Sequence, residues 1–145
     1  MFGYVGEVVG LAVVIMTFYE RFLWKYNPLE DTPVLAKRYK GVLKSTYDGI
    51  EREASLEIQQ TLLTVSTVLI TEESRSKTIT ASIEKILGEK QLTYCYLNKQ
   101  NASDRNRSAI HYGTAILCVE DVNKLTGQYY SDRKTTGDIK FVPDL

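Results

Sequence analysis

Hydrophobic and polar residues follow two different rhythms along this chain, and the change between them falls near residue 26. From Phe2 to Tyr19 the only charged side chain is Glu7, and the stretch Val8–Met16 is apolar all the way round a helix. A helix hydrophobic on every face is buried in protein or in lipid. Beyond Tyr39 the pattern becomes short runs with a two-residue period separated by turn dipeptides, as in half-buried strands. These rhythms predict a helix over residues 1–26, a linker over 27–36 and an all-β domain over 37–145.

The helix is at the short end of what a bilayer needs, since a span takes about 20 mostly apolar residues. Its exit flank favours a membrane: Tyr19, Phe22, Trp24 and Tyr26 cluster beside Arg21 and Lys25, as aromatics and cations do at the headgroup level. A buried core helix is the alternative reading. A secretory signal peptide does not fit, because no basic residues precede the apolar run and no small-residue cleavage site follows it. Arg21, Lys25, Lys37, Arg38, Lys40 and Lys44 all follow the helix, so the positive-inside rule places the β domain in the cytoplasm. Glu7 is costly in hydrocarbon unless it sits near an interface, faces a partner helix or lines a shared aqueous opening.

Within the linker, Asn27-Pro28-Leu29-Glu30-Asp31-Thr32-Pro33 is polar and carries two prolines. Tyr39–Tyr47 reads as a first strand, closed by the turn dipeptide Asp48-Gly49. Ala54–Thr71 reads as one long or bulged strand; a helix is the alternative, because Leu56, Ile58, Leu62, Val65, Val68 and Ile70 partly fit a 3.6-residue period. Ser74-Arg75-Ser76 reads as a polar turn, Thr78–Ile86 as a strand and Gly88 as a break. In Gln91–Asn98, Leu92, Tyr94, Tyr96 and Asn98 alternate with Thr93, Cys95 and Leu97, the period of a pleated strand. After a polar loop over 99–107, His111–Glu120, Leu125–Ser131 and Asp138–Val142 bring the total to about seven or eight strands. Short consecutive antiparallel strands predict a compact antiparallel β-barrel of about eight strands, or a curved sandwich.

Composition narrows function chiefly by exclusion. The 18 basic and 18 acidic residues cancel, so no global field recruits a DNA or RNA polymer, and an anionic ligand must be held by a local cluster. Cys95 and Cys118 lie in strand-like runs and read as buried free thiols of a reducing compartment. The single histidine, His111, excludes paired-histidine zinc motifs, and no CxxC pair, GxSxG elbow or phosphate-binding glycine loop is present. No resident metal or cofactor is expected. With neither a catalytic triad nor a carboxylate pair in recognisable context, the chain reads as a binding protein and not as an enzyme. The Asn101-Ala102-Ser103 sequon is incidental in a cytoplasmic domain.

Four strings in series carry a resemblance: Leu56-Glu57-Ile58-Gln59-Gln60-Thr61, Leu92-Thr93-Tyr94-Cys95-Tyr96-Leu97-Asn98, His111-Tyr112-Gly113-Thr114-Ala115, and Leu125-Thr126-Gly127-Gln128-Tyr129-Tyr130-Ser131-Asp132-Arg133 followed by Thr136-Gly137-Asp138-Ile139. In order and spacing the chain resembles, over roughly residues 39–142, the membrane-anchored β-barrel effectors of CBASS antiphage operons. The resemblance implies a receptor in the bacterial inner membrane, its barrel cytoplasmic. It would bind a cyclic di- or trinucleotide made by a partner nucleotidyltransferase, form a homo-oligomer, and disrupt the membrane until the cell dies. The family usually carries two hydrophobic helices before the barrel, so the single helix here stands alone or as the second of a hairpin.

A ligand of that class offers phosphates, which want arginine forks or hydroxyls, and bases, which want aromatic platforms and polar edges. Tyr94, Tyr96 and Asn98 on one strand face could stack on a base and read its edge. Arg105, Arg107 and Arg133 could supply charge, His111 and Thr114 further donors, and Tyr129 completes the candidate set. Each has a plainer reading: Tyr94 and Tyr96 as core aromatics, Asn98 as a strand end, His111 as a structural histidine, Arg105 and Arg107 as a solvated loop. Ser74-Arg75-Ser76-Lys77 reads as a polar hairpin that could also hold a phosphate. Barrel architecture equally accommodates an apolar cargo, so a membrane-anchored lipocalin-like barrel is the second functional reading.

Overall fold

A computed structural model describes residues 2–100 and 109–145. Helix α1 spans Phe2–Phe18 and continues through a π-helical turn at Tyr19–Leu23 and a 3₁₀ turn at Trp24–Tyr26. The strands are β1 Arg38–Ser45, β2 Glu51–Gln60, β3 Val65–Thr71, β4 Ser74–Ile86, β5 Glu89–Gln100, β6 His111–Cys118, β7 Leu125–Ser131 and β8 Thr136–Pro143. Each pairs antiparallel with the next, and β8 pairs back onto β1, so the barrel closes in up-and-down order and leaves no open sheet.

This connectivity sorts the turns. Those joining β2–β3, β4–β5 and β6–β7 lie at the end where the helix enters; those joining β1–β2, β3–β4, β5–β6 and β7–β8 lie at the far end. Side chains alternate in and out along every strand, and the interior is divided between the two ends. The helix-side half is packed solid with Leu56, Leu92, Leu117, Leu125, Ile139 and Phe141. Tyr39 sits there too, its hydroxyl donating to the Val122 carbonyl at 2.9 Å and accepting from the Ala36 amide at 3.0 Å. The far half carries Ser45, Thr71, Ser76 and Asn98 on its inward face.

Two strand assignments from the sequence are corrected. Ala54–Thr71 is not one long strand: β2 and β3 are separate, and Thr61–Thr64 turns the chain between them. The Thr61 amide donates to the Thr64 carbonyl at 2.9 Å, and the Thr64 amide to the Thr61 hydroxyl at 3.1 Å. Threonine hydroxyls close this turn without the glycine or proline that marks most turns. Ser74-Arg75-Ser76 is not a turn either but the start of β4; the reversal falls at Glu72-Glu73, where the Thr71 hydroxyl accepts from the Ser74 amide at 3.1 Å.

The seam between β3 and β4 has three register pairs, Val68↔Lys77, Leu69↔Ser76 and Ile70↔Arg75. Beyond them the Thr78 hydroxyl stands in for main chain: it accepts from the Thr67 amide at 2.9 Å and lies 3.0 Å from the Thr67 carbonyl. A bulge at Ile79 follows, and β4 runs on to Ile86 paired only with β5. Leu87 and Gly88 then turn the chain with both residues at positive φ.

Residues 27–36 form a packed strap. Leu35 is buried, its amide donates to the Gln60 side chain at 3.0 Å, and that side chain donates to the Pro33 carbonyl at 2.8 Å. Asp31 pairs with Lys90 at 2.5 Å. At the base of the helix Trp24 is 3% exposed. The Glu20 carbonyl accepts from the Leu62 amide at 3.1 Å, and the Glu20 carboxylate accepts from the Thr61 hydroxyl. The helix from Gly3 to Tyr26 is long and apolar enough to cross a bilayer, and none of its most apolar window is buried against the barrel.

Candidate ligand-binding site

A cavity of about 440 Å³ opens at the far end of the barrel, a volume within the range of small-molecule sites. Its floor is the top of the packed core, at Leu43, Leu69, Tyr94, Ala115 and Ile139. Tyr96 and Tyr129 form walls, Ser76 and Asn98 a polar side, and Asp48, Arg52, His111 and Arg133 the rim.

Glycines opposite the two wall tyrosines make room for their rings. Tyr96 pairs with Gly113 and Tyr129 with Gly137. A Cβ on Gly113 would lie 2.3 Å from the Tyr96 ring, and one on Gly137 would lie 2.4 Å from that of Tyr129. Each ring thus lies down over a bare stretch of the neighbouring strand, the cross-strand pairing that favours aromatics beside glycine.

The polar side is organised by hydrogen bonds. The Asn98 amide nitrogen donates to Ser76 at 2.7 Å and to Ser74 at 3.0 Å, and its oxygen accepts from Gln100 at 3.3 Å. Tyr94 is 1% exposed, and its buried hydroxyl has no hydrogen-bond partner among the described residues. A buried hydroxyl without a partner is costly. Its ring lies 6.0 Å from that of Tyr96, tilted by 51°. Burial pushes both phenols well above the usual tyrosine range; for Tyr96 the charges of Tyr129 and Asp132 add to the effect.

At the rim Arg52 grips Asp48 across the β1–β2 turn, with contacts of 2.7 and 3.4 Å. That hydrogen bond, with one from the Ile50 amide, holds the Asp48 carboxyl below the usual carboxylate range, and it raises the Arg52 guanidinium in turn. Glu73 also lines the cavity. The rim's two arginines therefore stand among carboxylates, and an anionic ligand would have to take Arg52 from Asp48 by exchange.

Six residues singled out in the sequence meet in this one cavity: Tyr94, Tyr96, Asn98, His111, Tyr129 and Arg133. Thr114 does not join them. His111, Gly113 and Ala115 point inward, so alternation turns Thr114 to the outer wall, where its hydroxyl lies 3.5 Å from the Cys95 sulfur. Arg105 and Arg107 lie outside the described residues. Ser74-Arg75-Ser76-Lys77 is split by the same alternation: the serines face the cavity, and Arg75 and Lys77 face solvent. Cys95 and Cys118 are free and half-buried on the outer wall, not in the core.

Sequence reasoning missed Arg52 and Asp48. Arg52 had a signal, since it falls in register with Ala54, Leu56 and Ile58 on the inward face of β2. Ser76 was singled out only within a hairpin that could hold a phosphate, and it faces the cavity from a strand instead. The helix-side interior is filled by side chains, so room for a ligand inside the barrel lies at the far end.

Residues 31–142 match the family model described as the Cap15 cyclic dinucleotide receptor domain. The chain is also 35% identical over 146 residues to CD-NTase-associated protein 15 of Staphylococcus schleiferi, a match that covers 92% of this chain and 78% of that protein. The family match begins in the strap at Asp31 and runs through all eight strands of the barrel, so the chain belongs to the Cap15 family of CBASS effectors.

Proposed function

We propose that the far-end cavity binds a cyclic dinucleotide, and that binding drives the membrane-anchored chain to assemble and disrupt the bacterial inner membrane. The observation that carries this reading is one cavity combining tyrosine walls, a hydrogen-bonded amide and rim arginines. Tyr96 and Tyr129 offer faces for base stacking, Asn98 and the Tyr94 hydroxyl offer edge recognition, and Arg52 and Arg133 offer charge to the phosphates. The polar side and charged rim above an apolar floor favour this ligand over the apolar cargo of a lipocalin-like barrel.

The ligand acts by population shift: it needs only to bind the assembly-competent state better than the resting one. Anchoring supports assembly, because chains confined to a membrane meet at high effective concentration. The excess of Lys and Arg after the helix supports a cytoplasmic barrel, where a nucleotidyltransferase product would reach it. No catalytic role is assigned to any residue.

The test is thermal stability and oligomer size of the full chain in nanodiscs, measured against a panel of cyclic di- and trinucleotides. Specific binding raises the apparent melting temperature with ligand concentration, and the same ligand should enlarge the assembly and release dye from vesicles carrying the protein. A folded chain that ignores the whole panel overturns the receptor reading; stabilisation without assembly or leakage overturns the effector step alone.

A further inference from the structure

The two ends of the barrel carry different turn chemistry. Far-end tips are charged: Asp48-Gly49, Glu72-Glu73 and Asp132-Arg133, with Tyr47 and Ile50 flanking the first. At the helix side, leucines occupy two of the three tips. Leu63 in the β2–β3 turn is 79% exposed, and Leu87 in the β4–β5 turn is 98% exposed. Leu29, in the strap, is 92% exposed.

Turns usually take small polar residues, because each supplies a specific hydrogen bond or backbone conformation. Leu87 does neither. It sits at φ 52°, a left-handed conformation that asparagine or glycine adopts at lower cost. A wholly exposed leucine there carries both a conformational and a hydration cost in water. Two neighbouring turns and the strap share the trait, which points to an apolar surroundings on that side.

The helix fixes which surroundings. Its last turns are bound to the same β2–β3 turn that carries Leu63: the Glu20 carbonyl accepts from the Leu62 amide at 3.1 Å, and the Glu20 carboxylate lies 3.4 Å from the Leu63 amide. Leu63 therefore stands beside the last turns of the helix at Glu20, a stretch where Tyr19, Phe22 and Tyr26 mark a headgroup level by their aromatic character. The third helix-side turn differs: Glu120, Asp121, Asn123 and Lys124 surround Val122. In barrel order β2–β3 and β4–β5 are adjacent turns, and β6–β7 lies beyond them.

We propose that Leu63, Leu87 and Leu29 form a second membrane contact, dipping into the lipid interface and leaning the barrel onto its β2–β5 side while the β6–β7 turn stays in water. The partner is the lipid surface itself. Leucine side chains gain by leaving water there without any loss of backbone hydrogen bonds, since only turn tips enter. This surface rests on the reading of α1 as a membrane anchor, and a leaning barrel would present the same flank of every copy to its neighbours.

Site-directed spin labelling of the full chain tests it. In a Cys95→Ser/Cys118→Ser background, single labels are placed through Leu63→Cys, Leu87→Cys, Lys134→Cys and Val14→Cys, in vesicles of phosphatidylethanolamine with a minor fraction of phosphatidylglycerol. Each labelled protein's thermal melt is compared with that of the unlabelled chain. Labels at Leu63 and Leu87 should collide severalfold more often with oxygen than with a water-soluble nickel chelate, as Val14 does, and Lys134 should show the reverse. Water-like values at Leu63 and Leu87 beside a lipid-like Val14 overturn the second contact and leave the anchor standing. A water-like Val14 overturns the anchor reading itself.

Discussion

The Tyr96 ring lies flat against Gly113, its register partner on β6, so closely that a Cβ there would approach the ring to 2.3 Å. The pair sets one wall of the cavity, because a side chain on Gly113 would push the phenol into the space a ligand needs. Gly113→Ala should destabilise the barrel by about 1–3 kcal/mol through overpacking, a fall of roughly 4–8 °C per kcal/mol for a domain near 100 residues. The Tyr130 carbonyl, 2.6 Å from the same Cβ, is main chain and cannot step aside. The combined loss of Gly113→Ala and Tyr96→Ala should therefore fall short of the sum of the two single losses, and thermal melts of the single and double variants measure by how much. Fully additive losses would show that the ring and the glycine are not coupled.

Tyr94 separates a structural tyrosine from a receptor tyrosine. Its hydroxyl is buried and unpartnered among the described residues, so removing it costs the ligand-free fold nothing and relieves a desolvation penalty. Tyr94→Phe should leave the melting temperature unchanged or raise stability by up to about 1 kcal/mol. The same variant should bind cyclic dinucleotide up to roughly tenfold more weakly, the worth of one hydrogen bond. Calorimetric titration beside a thermal melt reads both numbers; equal losses in the two would make the residue purely structural.

Asp48 competes with any anionic ligand for Arg52, whose guanidinium it holds at 2.7 Å. Asp48→Asn should free that guanidinium and tighten binding roughly twofold to fivefold, the scale of an exposed ion pair. Arg52→Ala should weaken it and flatten the salt dependence of binding. Affinities measured across a salt series decide the matter, and a tighter Arg52→Ala variant would remove Arg52 from the site.

The buried phenols make the fold sensitive to alkali. Tyr94 and Tyr96 are both shifted upward by burial, whereas unfolded phenols ionise near pH ~10. Below that pH both states are protonated and the contribution is complete. Above it the unfolded chain releases protons that the folded chain keeps, so stability falls as pH rises. Chemical denaturation from pH 8 to 11 should show this decline, and Tyr94→Phe should make it shallower. An unchanged slope in that variant would mean that Tyr94 ionises freely in the native barrel.

Glu7 is the one charge in the apolar helix before the exit flank. If helices cluster on activation, its carboxylates meet or line a common opening, where they are hydrated. Glu7→Leu should then change toxicity in cells while leaving nucleotide affinity as it was. Toxicity equal to that of the parent chain would remove Glu7 from the membrane step.

Much of the fold was legible because it depends on local rhythm. The all-apolar helix, the two-residue alternation through Tyr94, Tyr96 and Asn98, and the turns at Asp48-Gly49 and Gly88 are written in neighbouring residues, and so was the number of strands to within one. The errors fell where local chemistry was silent. The Thr61–Thr64 turn uses hydroxyls in place of glycine, and β4 begins inside what looked like a polar turn because Thr71 and Ser74 close the reversal earlier.

Sequence by itself determined which residues alternate, which stretch is apolar on every side, and which family pattern the strings follow, since periodicity and spacing are properties of a line. Only the tertiary structure decided which face is the inside, because closure of the barrel turns Thr114 outward and Arg52 inward and leaves Tyr94 with a hydroxyl that no described neighbour satisfies. Burial and partnership depend on residues brought together from distant strands, and no stretch of chain carries that information alone.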